Sequence, residues 1–387
     1  MSDMEEEAMM PLSSQRGLFE IPDEVAYLNC AYMSPLLRAV REAGEAGVAR
    51  KSQPWRLHPS DFFAEAETAR ALFGQLIGAD AEGVAIVPAA SYGVGVAAAN
   101  LPVRARQRIV LLAEQFPSNV YPWRSLSERA GAEIVTIARP PDLDWTRAVL
   151  EAIDERAAVV AVPQCHWTDG GLIELARVGE QARAAGAALV VDATQSAGAY
   201  PLDVSQIQPD FLVAATYKWL LGPYSLGFLY AAPQHRAGQP LEFNWVTRAG
   251  SEDFSSLVDY HDDYQAGARR YDVGERSNFA LMPMAITALR QLLDWGVENI
   301  QETVRDLSGQ IEREAKRLGL DPVPGERRAG HLLGIRSPRP LPPDLPSKLA
   351  AEHVYVSMRG QSIRVSPHVY NTQTDIERLM NVLARAV

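Results

Sequence analysis

The stretch "DFLVAATYKWLLGPYSLGFLYA", residues 210–231, ends one apolar run with a lysine and then begins a second apolar run. Residues 211–215 predict a buried strand, and a short loop with glycine and proline leads to another strand at 226–231. Parallel neighbours need a crossover of a dozen or more residues, so these two strands are expected to pair antiparallel. A buried, unpaired ammonium group costs several kcal/mol or loses its proton, unless it reaches water. Lys218 is therefore the first candidate for chemistry.

Lysine is rare in this chain, which otherwise uses arginine as its basic residue. The four lysines are Lys51, Lys218, Lys316 and Lys348, and all except Lys218 lie in polar, charged or proline-rich stretches typical of a solvated surface. Arginine stays protonated in proteins, whereas lysine can lose its proton and act as a nucleophile. The one lysine at an apolar strand end therefore indicates amine chemistry.

Length and composition indicate a globular protein of about two domains. The chain has 387 residues, of which 47% are hydrophobic, and this is enough for a sizeable core. The formal net charge is −11, and a surface of that sign repels phosphate backbones, so we expect no nucleic-acid partner. The acidic first ten residues lack the features of a signal peptide, and no apolar run reaches the length of a membrane span. We therefore expect a cytoplasmic protein without a membrane partner.

The two cysteines, Cys30 and Cys165, are too few to indicate a disulfide framework. Cys165 precedes His166, but no further ligand side chains nearby in the sequence complete a metal-binding set. We therefore expect no metal site.

Short β-rich runs alternate with helical patterns over the first two thirds of the chain. Seven strands are predicted, at residues 83–88, 108–113, 133–137, 157–163, 188–192, 210–216 and 226–231. Strands that alternate with crossover helices form a mostly parallel sheet covered on both faces. We therefore predict an α/β fold, in which a large domain over residues 31–280 contains a mostly parallel, seven-stranded sheet.

The pattern changes after the large domain. Apolar residues recur at three- and four-residue steps from Val297 to Ile311, which is typical of an amphipathic helix. Three short strand patterns and a final helix from about Asp375 follow. We predict a smaller α+β domain over residues 281–387, on which an N-terminal segment of residues 1–30 packs.

Ligands of open parallel sheets bind at the carboxyl ends of the strands, so the residues that follow each strand are candidates for a site. The stretch "AASYGVGVAAAN", residues 89–100, places small residues at the start of a helix, where backbone N–H groups and the hydroxyls of Ser91 and Tyr92 suit a phosphate. Its glycines, with Glu114 about 20 residues further on, also imitate a dinucleotide-binding fingerprint. Both ligand classes fit this stretch taken alone.

Further candidates follow three other strands. Phe116 is either a core residue or a ring that stacks on a flat ligand. The stretch "HWT" at residues 166–168 forms either a hydrogen-bonded turn or part of a ligand site. Asp192 ends a fully apolar strand and needs a positive partner, and Gln195 lies three residues beyond it.

A phosphate cradle, a flat ring, a carboxylate and a lysine therefore project from one edge of one predicted sheet. Pyridoxal 5'-phosphate uses all four, because a lysine binds its aldehyde, a carboxylate keeps its pyridine nitrogen protonated, a flat side chain covers its ring and N–H groups bind its phosphate. A nicotinamide dinucleotide explains the glycines but leaves the pair of Asp192 and Lys218 without a use. The residues favour pyridoxal phosphate as the cofactor.

Taken in chain order, six stretches resemble the class V aminotransferase family, within the fold type I pyridoxal-phosphate enzymes. They are "AASYG", "EQFPS", "HWTDGG", "VVDATQSAGAYPLDV", "TYKWLLGPYSLGFLY" and "IRVSPHVYNT", and the resemblance covers nearly the whole chain. It implies that Lys218 and Asp192 are catalytic and that Arg364 binds a substrate carboxylate. The implied cofactor-binding residues are Ala90, Ser91, Tyr92, Phe116, Thr168, Asp192, Gln195, Tyr217, Lys218, Trp245 and Ser277, with Asn278 as a further substrate contact.

Two positions depart from what many members of this family have. Tyr217 stands where many carry a histidine before the lysine, and Phe116 stands where many stack a histidine on the cofactor ring. Both features resemble those of kynureninase. Trp245, Ser277 and Asn278 also stand where kynureninase-like enzymes have cofactor or substrate contacts, some of which come from the neighbouring subunit. The resemblance implies a homodimer with active sites near the interface.

The resemblance implies an enzyme that acts on an α-amino acid or a keto acid. Transamination is the first expected reaction, and the alternatives are Cβ–X cleavage of the kynureninase type and racemisation or epimerisation. The rival classes are a NAD-dependent dehydrogenase, supported by the glycine stretch alone, and a non-catalytic pyridoxal-phosphate-binding protein. Cysteine desulfurases of the family carry a thiol on a mobile loop, whereas "AEHVYVSMRGQSIRVSPHVYN" at residues 351–371 contains no cysteine. A cysteine desulfurase is therefore not expected.

Overall fold

The fold is built around one large sheet and one smaller sheet. A computed structural model describes residues 11–386, so the acidic stretch of residues 1–10, part of the predicted N-terminal segment, lies outside the described residues. The strands are β1 (Ala26–Tyr27), β2 (Val84–Val87), β3 (Arg108–Leu112), β4 (Glu133–Ile137), β5 (Ala157–Pro163), β6 (Ala188–Asp192), β7 (Phe211–Ala215), β8 (Gly227–Ala231), β9 (Asp321–Pro322), β10 (Leu333–Arg336), β11 (Val354–Tyr355), β12 (Ser357–Arg359) and β13 (Ser362–Val365). The α-helices are α1 (Arg38–Arg50), α2 (Ala64–Leu76), α3 (Ala90–Asn100), α4 (Tyr121–Ala130), α5 (Trp145–Ala152), α6 (Leu175–Ala185), α7 (Val204–Ile207), α8 (Leu281–Trp295), α9 (Val297–Arg317), α10 (Leu345–Ala351) and α11 (Gln373–Ala386).

The large sheet has seven strands in the order β2-β8-β7-β6-β5-β3-β4. Strands β3 to β7 pair in parallel, whereas β8 pairs antiparallel with both β7 and β2. The structure therefore confirms the predicted α/β fold with its mostly parallel sheet. It also confirms the antiparallel pairing of the two strands in residues 210–231, because their loop is too short for a parallel crossover.

Helices cover both faces of this sheet. Helices α3 and α4 pack on one face, where Val94 and Trp123 share a core with Val213 of β7. On the other face, Phe73 of α2 and Val178 of α6 belong to a second core, which also includes apolar residues of α8. Strands covered on both faces lose their polar alternation, and every residue of β5 and β7 is buried.

The smaller domain has its own antiparallel sheet, in the order β12-β13-β10-β9, and a separate core. Helix α9 spans the predicted amphipathic segment, and α11 begins two residues before the predicted Asp375. Strand β1 pairs in parallel with β11, so the described part of the N-terminal segment lies against this domain. The boundary at residues 280 and 281 stays a prediction, because α8 begins there but packs on α1 and α2 of the large domain.

Across residues 11–386, no helix has the length and apolar character that crossing a membrane requires. Over the same residues, no three His, Cys, Asp or Glu side chains are grouped so as to hold a metal ion.

Candidate active site

One cavity lies at the carboxyl edge of the large sheet, where β5, β6 and β7 end. Its volume is about 260 Å³, near the lower end of the roughly 300–1,000 Å³ typical of small-ligand sites. Seven predicted site residues line it, namely Ala90, Ser91, Phe116, Asp192, Gln195, Tyr217 and Lys218. The parallel topology brings these residues together because each follows a strand of the same sheet.

Lys218 lies just beyond β7 and is almost enclosed, with 6% of its surface exposed. Its Nζ atom is 5.2 Å from the centroid of the Phe116 ring and 5.4 Å from that of Tyr217. Among residues 11–386 this atom forms no hydrogen bond and no ion pair. Burial lowers the pKa of Lys218 to about 8, an effect that the Asp192 carboxylate opposes and the Arg364 guanidinium reinforces. The amine can therefore lose its proton close to neutral pH.

Asp192 is the last residue of β6, and Gln195 lies on the turn that follows this strand. One carboxylate oxygen of Asp192 accepts a hydrogen bond from the Thr194 N–H at 3.0 Å. The side-chain amide of Gln195 donates to the Ala31 carbonyl at 3.2 Å, and its oxygen accepts from the Trp219 indole at 2.8 Å. These contacts fix the orientation of the Gln195 amide and leave its second N–H for a ligand.

Helix α3 begins at the cavity wall. Ala89 precedes it and provides no side-chain cap, so the first backbone N–H groups, at Ala90 and Ser91, are open to a ligand. A Cβ atom at Gly93 would lie 2.5 Å from the Val213 side chain, so the glycine allows the helix to pack closely on β7. The positive end of the helix therefore points a set of N–H donors at the cavity, as a phosphate requires.

The glycine stretch does not belong to a dinucleotide-binding unit. That fingerprint lies in a parallel strand–helix–strand unit, whereas β2, the strand before the stretch, is at the edge of the sheet and pairs antiparallel with β8. The carboxylate of Glu114, the acidic residue of the apparent fingerprint, forms an ion pair with Arg139 at 2.7 Å. The glycines are therefore explained by helix packing.

Arg364 lies on β13 of the smaller domain, is 1% exposed and does not itself line the cavity. Its Nη1 donates to the Trp167 carbonyl at 2.9 Å, and its Nη2 donates to Ser357 Oγ at 3.4 Å. The Trp167 ring lines the cavity, and its centroid is 5.9 Å from the guanidinium carbon. Burial, together with the charge of Arg359, lowers the pKa of Arg364 to about 9. Its buried Nε has no partner among the described residues, so this guanidinium keeps donors for an anion.

Thr168, a predicted cofactor ligand, does not line the cavity. Its hydroxyl is 2.8 Å from Nδ1 of His166 and accepts a hydrogen bond from Arg139 at 3.0 Å. The ring of His166 stacks on Trp145, with centroids 5.0 Å apart. His166 and Thr168 therefore belong to a hydrogen-bonded turn. Trp167, which lies between them in the chain, lines the cavity.

Four further predicted residues lie outside the cavity of their own chain, namely Tyr92, Trp245, Ser277 and Asn278. The hydroxyl of Tyr92 is buried, and burial together with the nearby Glu242 carboxylate raises its pKa. Trp245 is 40% exposed and packs edge-on against Phe254 at 5.4 Å. Asn278 accepts a hydrogen bond from the Leu281 N–H at 3.0 Å and so supports the start of α8. Their cofactor and substrate contacts, partly across subunits, stay predictions.

The cavity wall also contains residues to which the sequence analysis assigned no role. They include Gln115, Thr194 and Tyr224, whereas Trp167 belongs to the predicted stretch of residues 166–168. Gln115 donates from its side-chain nitrogen to the Ala161 carbonyl at 3.1 Å, while its buried side-chain oxygen has no partner among the described residues. Gln115 and Thr194 lie within three residues of a strand end, and that position is the signal that could have identified them.

The residues around the cavity fit pyridoxal phosphate. An enclosed amine with a lowered pKa, a buried carboxylate, an aromatic ring and an uncapped helix N-terminus all border the same space. These groups match the aldehyde, the pyridine nitrogen, the ring face and the phosphate of that cofactor.

Comparison with known proteins agrees with pyridoxal phosphate as the cofactor. The family model for class-V aminotransferases matches residues 51–329. The uncharacterized aminotransferase YcbU of Bacillus subtilis is 27% identical over 360 residues, which cover 92% of this chain and 91% of YcbU. Isopenicillin N epimerase of Streptomyces clavuligerus is 25% identical over 402 residues, which cover 95% of this chain and 96% of the epimerase.

A solved structure shares the fold over nearly its full length. The apo structure of a cysteine desulfurase from Thermococcus onnurineus has a TM-score of 0.84 at 21% sequence identity, covering 97% of this chain and 99% of that one. Identity at that level demonstrates a common fold. The family model, by contrast, spans well over half of the chain, and this chain therefore belongs to the class V aminotransferase family of enzymes, with pyridoxal phosphate as its cofactor.

Proposed function

We propose that this enzyme transaminates an α-amino acid, with Lys218 and Asp192 as its catalytic residues. The observation that supports this most strongly is the Lys218 amine, which is enclosed in the cavity and has a pKa lowered to about 8. Within residues 11–386 it has no ion-pair partner. A general base works best when its pKa is near the operating pH. Lys218 meets that condition, whereas an exposed lysine would stay protonated.

Each residue of the site has a defined task in this proposal. Bound pyridoxal phosphate supplies an aldehyde for a covalent bond to lysine and a ring that withdraws electrons from the substrate Cα. Lys218 would act as the general base that removes the proton from the substrate Cα. Asp192 holds a positive charge at the pyridine nitrogen, and Gln195 donates to the ring hydroxyl. Phe116 covers one face of the ring.

The remaining contacts bind the two anionic ends of the ligands. Ala90 and Ser91 donate backbone N–H groups to the cofactor phosphate, with the positive end of α3 behind them. Arg364 binds the substrate carboxylate, since its guanidinium is paired with no carboxylate and its Nε is free among the described residues. The planar arginine fork suits a carboxylate better than a lysine does.

Two other reactions remain alternatives within the same site. Cleavage of a Cβ–X bond, as in kynureninase, is supported by Phe116 and Tyr217, which stand where that enzyme type has the same features. Epimerisation is supported by the similarity to isopenicillin N epimerase over nearly the whole chain. All three reactions begin with removal of the Cα proton, so the Lys218 amine serves each of them.

We also propose that the enzyme is not a cysteine desulfurase, although it shares the fold of one. A persulfide-carrying thiol must be exposed and reactive. Cys30 and Cys165, the two cysteines of the chain, are 0% and 1% exposed, and burial raises the pKa of both thiols. Replacing both with alanine should leave turnover within several-fold of wild type. A folded double variant with no turnover would indicate that a thiol takes part.

The proposal includes a homodimer. Large apolar side chains are exposed on the segment of residues 241–260, with Phe243 at 74%, Val258 at 78% and Tyr260 at 96%. Exposed apolar patches of this kind mark interaction surfaces, and the segment also carries Trp245, for which a contact across subunits is predicted. Two unpaired cysteines are compatible with the reducing cytoplasm, the compartment proposed here.

Product analysis tests the reaction. The purified enzyme is incubated with a panel of α-amino acids and a keto-acid acceptor, with Lys218→Ala as the inactive control. Transamination yields a new amino acid and a new keto acid in equal amounts, without ammonia. Release of a side-chain fragment would instead indicate a lyase, and inversion at Cα with solvent deuterium uptake would indicate an epimerase.

A further inference from the structure

A second arginine shares the face of the sheet that carries Arg364. In the antiparallel pair of β12 and β13, Ser357 is opposite Arg364 and Arg359 is opposite Ser362. Directly opposed residues, and residues two apart on one strand, lie on the same face. Arg359 and Arg364 are therefore diagonal neighbours on one face of the hairpin.

Both arginines lie next to the same ring of the cavity wall, although neither lines the cavity itself. The guanidinium carbon of Arg359 is 5.3 Å from the centroid of the Trp167 ring, and that of Arg364 is 5.9 Å from it. Trp167 lines the cavity that contains Lys218. The charge of Arg359 acts on this site directly, since it contributes to lowering the pKa of both Lys218 and Arg364.

At the cavity wall and next to it, positively charged side chains outnumber negatively charged ones. Arg359 donates to the Met358 carbonyl at 2.7 Å, and among the described residues its buried Nε has no partner and no carboxylate lies within 4 Å of its guanidinium. In the described part of the chain, Arg364 is likewise paired with no carboxylate. Of the residues that the structure describes, Asp192 is the one acidic residue in the cavity wall, and its charge acts on Lys218. One substrate carboxylate would satisfy Arg364 and leave Arg359 uncompensated.

We propose that Arg359 binds a second carboxylate, carried by the substrate side chain, so that the substrate is an acidic α-amino acid or the corresponding dicarboxylic keto acid. This inference rests on the proposed function, in which Arg364 binds the first carboxylate. Arg359 acts here as a substrate-binding residue that determines specificity, since a half-buried guanidinium without a counter-ion gains most from an anionic partner.

Equilibrium binding to the purified holoenzyme tests the inference without turnover. Calorimetry compares glutarate with its monoamide, and succinate with its monoamide. We expect each diacid to bind about 10- to 100-fold more tightly than its amide, the range for one hydrogen-bonded charge pair. Arg359→Gln should remove that difference and leave the affinity for the amides nearly unchanged, while Arg359→Lys should restore part of it.

Arg339→Gln is the matched control, because Arg339 is an exposed arginine of the same domain. It should leave the preference for diacids intact, and all variants should keep the wild-type melting temperature within a few degrees. Equal affinity for diacid and amide in the wild type, or no measurable binding of either, would overturn the inference. An equal loss for diacid and amide in Arg359→Gln would overturn it too, since that result indicates a purely structural contact with Trp167.

Turnover separates this inference from the proposed function. If aspartate and glutamate react no better than asparagine and glutamine, the second carboxylate site is wrong while the amino-acid enzyme stands. If no amino acid or keto acid reacts at all, the proposed function fails, and the inference fails with it as a statement about substrate. A preference for the acidic amino acids that Arg359→Gln abolishes supports both.

Discussion

The ammonium nitrogen of Lys218 lies 5.2 Å from the centroid of the Phe116 ring, across the cavity at the carboxyl edge of the sheet. Lys218 lies just after strand β7, and Phe116 lies in the loop after β3. A flat ligand bound covalently to this lysine is therefore within reach of an aromatic face. This relationship locates the reacting centre of the enzyme and underlies the predictions that follow.

Borohydride reduction should attach the cofactor permanently to Lys218. The reduced, digested enzyme is expected to carry the pyridoxyl mass on the peptide containing Lys218, because this amine alone lines the cavity. Lys218→Ala should lose both the label and turnover while keeping the fold. Lys51→Ala is the matched control and should keep both. Labelling at Lys316 or Lys348 instead would refute the assignment.

Uptake of the cofactor should depend on pH with a midpoint near that of the Lys218 amine. Burial lowers the pKa of Lys218 to about 8, so its neutral, nucleophilic form becomes dominant above that pH. The rate at which cofactor-free enzyme binds pyridoxal phosphate should rise through this region, as measured by absorbance in stopped flow. Asp192→Asn should move the midpoint to lower pH, since Asp192 raises the pKa of this lysine. An unchanged midpoint would show that the two groups do not interact.

Neutralising Asp192 should slow the reaction strongly. Asp192→Asn keeps the shape but removes the charge that the pyridine nitrogen requires, and loss of one such electrostatic contact costs about 100-fold or more in rate. Steady-state kcat with the best substrate measures the effect. Asp294→Asn, a change at an exposed aspartate of α8, serves as the control and should have no effect. A near-normal kcat for Asp192→Asn would mean that this carboxylate is structural.

Replacing Arg364 with lysine should weaken substrate binding without disturbing the bound cofactor. The change keeps a positive charge but loses the planar fork, so KM for the amino acid is expected to rise about tenfold or more. The visible absorbance of the resting enzyme should stay the same. Amines without a carboxylate should be handled equally by Arg364→Lys and wild type, and a loss with those amines as well would contradict a carboxylate clamp.

The fold should lose stability in acid because of two buried histidines. Burial lowers the pKa of His331 to about 4 and that of His368 to about 3. Once unfolded, both take up protons below about pH 6.5, so the unfolded state binds more protons as the pH falls from there toward 4. The free energy of unfolding should then fall by about 1.4 kcal/mol per pH unit for each histidine.

Urea unfolding of the cofactor-free enzyme between pH 7 and pH 5 measures this slope. Both ring nitrogens of His368 lack partners among the described residues, so His368→Phe should fold and reduce the slope. His261→Phe, a change at an exposed histidine, should leave it as it is. An equal slope in His368→Phe would show that His368 does not account for the acid sensitivity.

Local sequence patterns were enough to predict the sheet, the cofactor and seven residues of the cavity wall. Apolar runs with short gaps predict strands, and the residue after each run lies at the carboxyl edge whatever the distant packing is. For that reason the sequence alone predicts that Phe116, Asp192 and Lys218 lie close together, and all three line the cavity. The antiparallel strand β8 also followed from loop length alone.

The direction in which a side chain points, and the groups with which it pairs, depend on contacts between segments that are distant in the chain. Thr168 and Trp167 are neighbours after the same strand, yet Thr168 bonds to Arg139 and Trp167 lines the cavity. Nothing in the order of residues indicated that Arg359 and Arg364 would both lie next to the Trp167 ring. Their proximity requires β13 to pair with β12, and it also requires the smaller domain to pack against the end of β5. A strand pattern is a property of neighbouring residues, whereas a charge cluster is created only when remote segments pack.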